Sequence, residues 1–196
     1  MYSQPGKKLM FMGGEIGQYR EWNHERGLDW HLLDFVPHAT LQRWVEDLNK
    51  TYREMPAMHE LDMSPEGFDW IDCCDTENSI VSLVRKSKSK PDEVVVIILN
   101  FTPIPRYNYQ IGVPHGGRWK EILNSDAPVY GGTNQGNMGA VDAAPIPLHG
   151  RKWSVNLTLP PLGAVFLTPD FSGGQAPPPV RTGEAPVLHS DAEDEA

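Results

Sequence analysis

Between Met10 and Asp34 the chain reads MFMGGEIGQYREWNHERGLDWHLLD, a dense run of groups able to do chemistry placed directly after an apolar segment. Trp22 and Trp30 offer flat apolar faces, and Glu15, Arg20, Glu21, Asn23, His24 and Asp29 offer donors and acceptors of both charge signs. Stacking faces combined with hydrogen-bonding groups suit a polyhydroxylated ligand such as a sugar ring. The same residues also fit a plainer description, with Trp30 and Leu32-Leu33 as core contacts, Arg20 and Glu21 as solvated surface and Glu15 as an ion-pair partner. Spacing alone leaves both open.

Other candidate chemistries are weaker. His24, His31 and His38 recur every seven residues, but on a loop that period has no geometric meaning, and metal-ligand spacing is absent. The glycine-rich YGGTNQGNMGA, Tyr130 to Ala140, lacks the Gly-Lys-Ser/Thr ending of a phosphate loop and reads as a connection between strands. Cys73 and Cys74 are the only cysteines, adjacent in an expected strand, and should be two buried thiols on opposite faces; soft-metal binding is the weaker alternative, since no Cys or His partner stands nearby at ligand spacing. Three Asn-X-Thr sequons, at Asn49, Asn100 and Asn156, fall inside expected helix or strand and read as chance matches. No Ser/His/Asp or Cys/His arrangement can be assembled.

The elements that must position these residues follow from hydrophobic periodicity. Lys7 to Met12 is an apolar run closed by Gly13-Gly14, the pattern of a buried strand ending in a ligand-approaching loop that extends to about Pro37. From His38 to Met55, Leu41, Trp44, Val45, Leu48, Tyr52 and Met55 recur at three- and four-residue intervals, predicting an amphipathic helix stopped by Pro56. Beyond Asp62 the pattern turns to strands: Phe68 to Cys74, Ile80 to Lys86, Glu93 to Phe101, Tyr107 to Val113, Arg118 to Leu123, Trp153 to Leu159 and Ala164 to Thr168. Turn-rich segments separate them, which predicts a self-sufficient antiparallel sandwich or partial barrel. A lone strand, loop and helix cannot bury both faces, and is the unit that closes a larger parallel α/β array with its functional residues on the loop after the strand.

Whole-chain properties bound the class. The 196 residues are 39% hydrophobic and 22% charged, enough for a substantial core. A net charge of −9 argues against a nucleic-acid partner, because phosphate binding needs a basic surface. Apolar runs are too short to span a bilayer, so no membrane partner is expected and the chain reads as cytoplasmic. Residues 171–196 are rich in Gly, Pro, Ala and acidic groups, and are expected to be a disordered tail.

The segments GKKLMFMGGEIGQYREWNHERGLDWHLL, LNKTYREMPAMHELD, NFTPIPRYNYQIGVP, WKEILNSDAPVYGG and LTLPPLGAVFL together resemble the C-terminal part of bacterial 1,4-α-glucan (glycogen) branching enzymes of the α-amylase superfamily. The resemblance runs in order from Gly6 to Thr168. It implies a mainly β chain: residues 1–56 as the eighth strand, loop and helix of a catalytic (β/α)8 barrel, and 57–170 as the C-terminal antiparallel β-sandwich. It implies an α-glucan ligand (glycogen, amylose-like chains), the rest of the barrel as partner, no cofactor, and retaining transfer of α-1,4 segments to 6-hydroxyls. The family's catalytic carboxylates lie on earlier strands, so no catalytic residue is assigned. What carries over is the loop at the active-site mouth as a glucan-facing surface, with Glu15 holding the loop; Gly14 stands where many relatives have Asn. A stand-alone carbohydrate-binding or structural β module and a debranching or trehalose-forming relative are the alternatives.

Overall fold

In a computed structural model that describes residues 1–171, eight strands and one α-helix form the framework, joined by 3-10 turns and loops. The expected tail lies outside the described residues apart from Phe171. The strands are β1 Phe68–Asp75, β2 Ile80–Arg85, β3 Val95–Asn100, β4 Arg106–Val113, β5 Gly117–Asn124, β6 Ala140–Ala143, β7 Trp153–Leu159 and β8 Ala164–Pro169, and the helix is α1 Val36–Glu54. Six strands form one antiparallel sheet in the order β1-β2-β3-β8-β5-β6, faced by a two-stranded ribbon of β4 and β7. Ile80, Val84, Val96, Ile98, Trp119 and Leu167 from the large sheet meet Ile111, Val113, Val155, Leu157 and Leu159 from the ribbon, so the main core is that of a sandwich.

The opposite face of the large sheet is also covered. Leu83, Val95, Ile97, Leu123 and Phe166 pack against Tyr2, Leu48, Ala57 and Met58, all from the segment before β1. This explains the unbroken apolar run VVIIL of β3: a central strand sandwiched between two layers has no solvent face on which polar residues could alternate. The outer face of the large sheet is therefore covered by the segment that precedes β1. Pro37 stands in the first turn of α1, where its missing N–H costs nothing, so the helix starts two residues before the expected His38.

A buried charged cluster fixes this junction. Arg85 at the end of β2 is fully buried, ion-pairs with Asp62 and donates to the Met58 carbonyl at 3.1 Å. Tyr52 on α1 donates to the other Asp62 oxygen at 2.7 Å, and Lys8 lies 3.9 Å from Asp62 and 5.1 Å above the Tyr52 ring. Burial alone would raise the Asp62 pKa, but the hydrogen bonds from Tyr52 and Arg85 and the nearby Lys8 charge outweigh it and hold the carboxyl below its ordinary value.

Three expectations are corrected. Lys7 to Met12 forms no strand, because a strand needs ladder partners and none flank it among the described residues. β6 lies in what reads as loop; Ala-Val-Asp-Ala has little strand preference of its own and is recruited by pairing with β5. Cys73 and Cys74 are both exposed, with their sulfurs 3.7 Å apart, and not buried on opposite faces. The cause is a bulge: Asp72 pairs with Ser82 and Asp75 with Ile80, so two residues of β1 oppose Val81 alone and the alternation breaks.

Candidate functional site

The residues from Phe11 to Asp29 fold into a loop whose shape is set by backbone geometry and two polar side chains. Gly13 and Gly17 bracket a 3-10 turn, Gly14–Ile16, and both occupy the left-handed region with φ of 82° and 61°. A Cβ on Gly17 would lie 2.9 Å from Leu41 of α1, so the turn also sits tightly on the helix. Ile16 is fully buried beneath it. From α1, buried His38 places Nδ1 2.6 Å from the Ile16 carbonyl, which can only accept, so that ring nitrogen carries the proton. Gln18 closes the loop from within: its Oε1 accepts from the Asp29 amide at 2.9 Å and its Nε2 donates to the Arg20 carbonyl at 3.0 Å.

This frame presents an open cleft of about 580 Å³ lined by residues of the Phe11 to Trp22 segment, among them Phe11, Met12, Tyr19, Arg20, Glu21 and Trp22. A second hollow of about 220 Å³ adjoins it between Gln18 and Asp29. The edge of Phe11 meets Trp22 at 5.8 Å between ring centres, and the Tyr19 ring stands perpendicular on His38 at 5.0 Å. Trp22 is 41% exposed and Tyr19 82% exposed, so both keep aromatic surface toward solvent. Such rims can stack a planar apolar face while neighbouring amides and charged groups reach hydroxyls.

The expected site residues are only partly brought together. Arg20, Glu21, Trp22 and Asn23 share the hollow with Asp29. Arg20 and Asp29 form an ion pair at 3.3 Å, and Asn23 Oδ1 accepts from the Glu25 amide at 2.9 Å, so these groups shape the loop as well as line it. His24 leans against Trp22 at 6.4 Å but lines neither hollow. Trp30 opens a separate 3-10 segment, Trp30–Asp34, is 53% exposed and lines neither cavity. Glu15 is half-buried and makes no ion pair or side-chain hydrogen bond among the described residues; holding the loop falls to Gln18 and His38 instead.

Phe11, Gln18 and Tyr19 are the contributors that pattern reading misses. Phe11 sits inside an apolar run that reads as core, and Gln18 and His38 act through partners 11 and 22 residues away in sequence. For Tyr19 the signal that could have found it is an aromatic ring directly beside Arg20.

α1 ties this loop to the sandwich. Trp44 packs its edge on Tyr130 at 4.9 Å and lies 6.5 Å from Phe166 of β8, while the Tyr130 hydroxyl donates to Asp47 at 2.7 Å. Burial and the Asp47 carboxylate push the Tyr130 phenol well above its ordinary pKa. The glycine-rich connection after Tyr130 is held to the sandwich by Asp126, whose carboxylate accepts from the amides of Thr133 and Gln135 and from the Thr133 hydroxyl at 2.7 to 3.0 Å. Among the described residues no group of three or more His, Cys, Asp or Glu side chains could hold a metal ion, and no helix is long and apolar enough to cross a membrane.

Residues 70–170 match the family described as alpha amylase, C-terminal all-beta domain. Over 167 residues, 85% of its length, the chain is 54% identical to the 1,4-alpha-glucan branching enzyme GlgB of Aquifex aeolicus (strain VF5), of which it covers 26%. Over 169 residues it is 54% identical to the enzyme of that name from Cereibacter sphaeroides, of which it covers 23%. The chain thus spans about a quarter of the length of these curated relatives. An alpha-amylase structure from H. orenii aligns over 66% of the chain and 20% of its own, with a TM-score of 0.41 and 15% identity.

Proposed function

The chain belongs to the alpha amylase C-terminal all-beta domain family, and on that premise we propose that it is the C-terminal part of a 1,4-α-glucan branching enzyme, which transfers α-1,4 chain segments to make α-1,6 branches. The observation that carries this reading is the length of the match: 167 residues cannot fit between position 70 and the end of the chain, so the likeness to branching enzymes reaches back into the segment before the β domain. That segment holds the cleft.

In this reading residues 1–56 complete a catalytic barrel and 57–170 brace it. The exposed apolar side chains support the first half. Leu9 is 85% exposed, and Phe11, Met12, Phe35 and Val36 are each more than half exposed, a concentration that calls for covering protein. Lys7 to Met12 gains its missing ladder partners when neighbouring barrel strands flank it. The sandwich, through α1 and the Asp62 cluster, holds the loop in register with the barrel rim.

The role of the loop is to bind glucan and not to break bonds. Retaining transfer needs a nucleophilic carboxylate and an acid/base carboxyl about 5 Å apart on a rigid rim. Asp29 is committed to Arg20, and Glu15 and Glu21 stand on a loop open to water, so none is set for that work. Trp22, with Phe11 behind it and Arg20 and Glu21 beside it, is the surface on which a glucan ring stacks, keeping a sugar hydroxyl and not water at the reacting centre. The substrate is neutral α-glucan and the setting cytoplasmic.

The test is to incubate the purified chain with amylose, alone and joined in frame to the barrel of a branching enzyme truncated before its own eighth strand. Debranching and chain-length analysis should show no new α-1,6 linkages for the chain alone and enzyme-dependent branching for the joined protein. Branching by the isolated chain, or a folded joined protein without activity, refutes the assignment.

A further inference from the structure

Outside the cleft, on the edge strand β1, the bulge that sets two residues against Val81 leaves Cys73 and Cys74 exposed on the same side with Sγ atoms 3.7 Å apart. Adjacent residues in a regular strand point to opposite faces and could not share one ligand atom. Here the backbone is fixed on both sides of the pair: the Cys74 amide donates to Asp72 Oδ1 at 2.9 Å, and the Thr76 amide donates to the Cys74 carbonyl at 2.8 Å. The two sulfurs are therefore held as a pair.

The separation lets one atom reach both sulfurs. Two sulfurs bridged by a single atom through bonds of about 2.3 Å can lie no more than about 4.6 Å apart, and these two meet that limit without moving. A disulfide, with a bond of about 2.05 Å, would instead require the sulfurs to close on each other across a single peptide unit. A structural metal ion would need further protein ligands, and among the described residues no third His, Cys, Asp or Glu completes such a group. What fits two sulfurs and no more is a soft, trivalent atom whose remaining bond is already filled.

We propose that Cys73 and Cys74 form a chelating dithiol site for trivalent organoarsenicals. The reaction exchanges two S–H bonds and the bonds from arsenic to its oxygen for two As–S bonds. The two thiol protons leave with that oxygen as one water, arsenic stays trivalent, and no electron is transferred. The Cys73 thiol is pushed above its ordinary pKa by the hydrogen bond with Cys74, then by burial and by the Cys74 and Asp72 charges, so at neutral pH it still carries the proton it gives up.

Phenylarsine oxide added to the reduced chain tests the site. Intact-mass measurement should show one arsenical per chain, formed with loss of water, that survives excess 2-mercaptoethanol and is removed by 2,3-dimercaptopropanol. Cys73→Ser and Cys74→Ser should each abolish the mercaptoethanol-resistant adduct while the circular dichroism spectrum stays unchanged. Because the fold holds the sulfurs at bridging distance, the folded chain should release the arsenical about tenfold more slowly than the chain in guanidinium chloride. The proposal is overturned if no adduct forms, if either single variant keeps a resistant adduct, or if the denatured chain holds the arsenical equally well.

Discussion

In the proposed reading Trp22 is the stacking face of the cleft. It is held from one side by the edge of Phe11 and from another by His24, yet keeps 41% of its surface open. A ring pinned in this way stacks on a ligand with little further loss of freedom. In the complete enzyme Trp22→Ala should weaken glucan binding or slow transfer by about 1–3 kcal/mol, since a stacking face of that size is removed, with the melting temperature nearly unchanged. Unaltered kinetics on amylose would assign Trp22 to the covered interface with the barrel and not to the ligand.

At the scale of elements, the connection from α1 to β1 is strapped to the loop after β2 by one carboxylate. Glu60 accepts from the Ser87 hydroxyl at 2.5 Å, from the amides of Lys88 and Ser89 at 2.9 to 3.1 Å, and from the Ser89 hydroxyl at 3.0 Å. The Ser87 hydroxyl, the Ser89 amide and hydroxyl and the Lys88 amide together lower its pKa from 4.5 to about 2 against the opposing effect of desolvation. A carboxylate whose folded pKa is depressed contributes stability that is complete above the unfolded value and drains away as pH falls through the folded one. Glu60→Gln should therefore lower the melting temperature at pH 7 modestly, since the group is exposed, and the gap from the parent chain should close between about pH 4.5 and pH 2. A gap that does not change with acidification would show that the strap works without its charge.

Across the whole molecule, stability depends on joining the first 60 residues to the sandwich. Asp62 is the hub, meeting Arg85 from β2, Tyr52 from α1 and Lys8 from the N-terminal segment. Asp62→Ala strands the buried guanidinium of Arg85 and should cost about 3–5 kcal/mol, read from denaturant unfolding. Replacing both residues together, Asp62→Leu with Arg85→Met, should recover most of that loss, because no unpaired charge remains. Deleting residues 1–59 should uncover Leu83, Val95, Ile97, Leu123 and Phe166 and give a product that binds a hydrophobic dye and self-associates. A dye-silent monomer would mean that the sandwich is self-sufficient after all.

The sequence by itself determined the elements wherever local pattern and environment agree. The three- and four-residue spacing of Leu41, Trp44, Val45, Leu48 and Tyr52 placed α1, and alternating or continuous apolar runs bounded by turns placed seven of the eight strands, Trp153–Leu159 to the residue. It also marked the loop around Trp22, because aromatic and charged side chains beside paired glycines are visible without a fold. The tertiary structure decided everything that depends on partners distant in the chain. It showed that Lys7 to Met12 has no strand to pair with, and that Ala140–Ala143 does. It gave the loop to Gln18 and His38 and not to Glu15. It exposed two cysteines through a bulge whose register is set by Ser82 and Ile80 of the neighbouring strand. Periodicity reports which way a side chain faces along its own element; which backbone lies across from it is fixed only when strands and helix pack together.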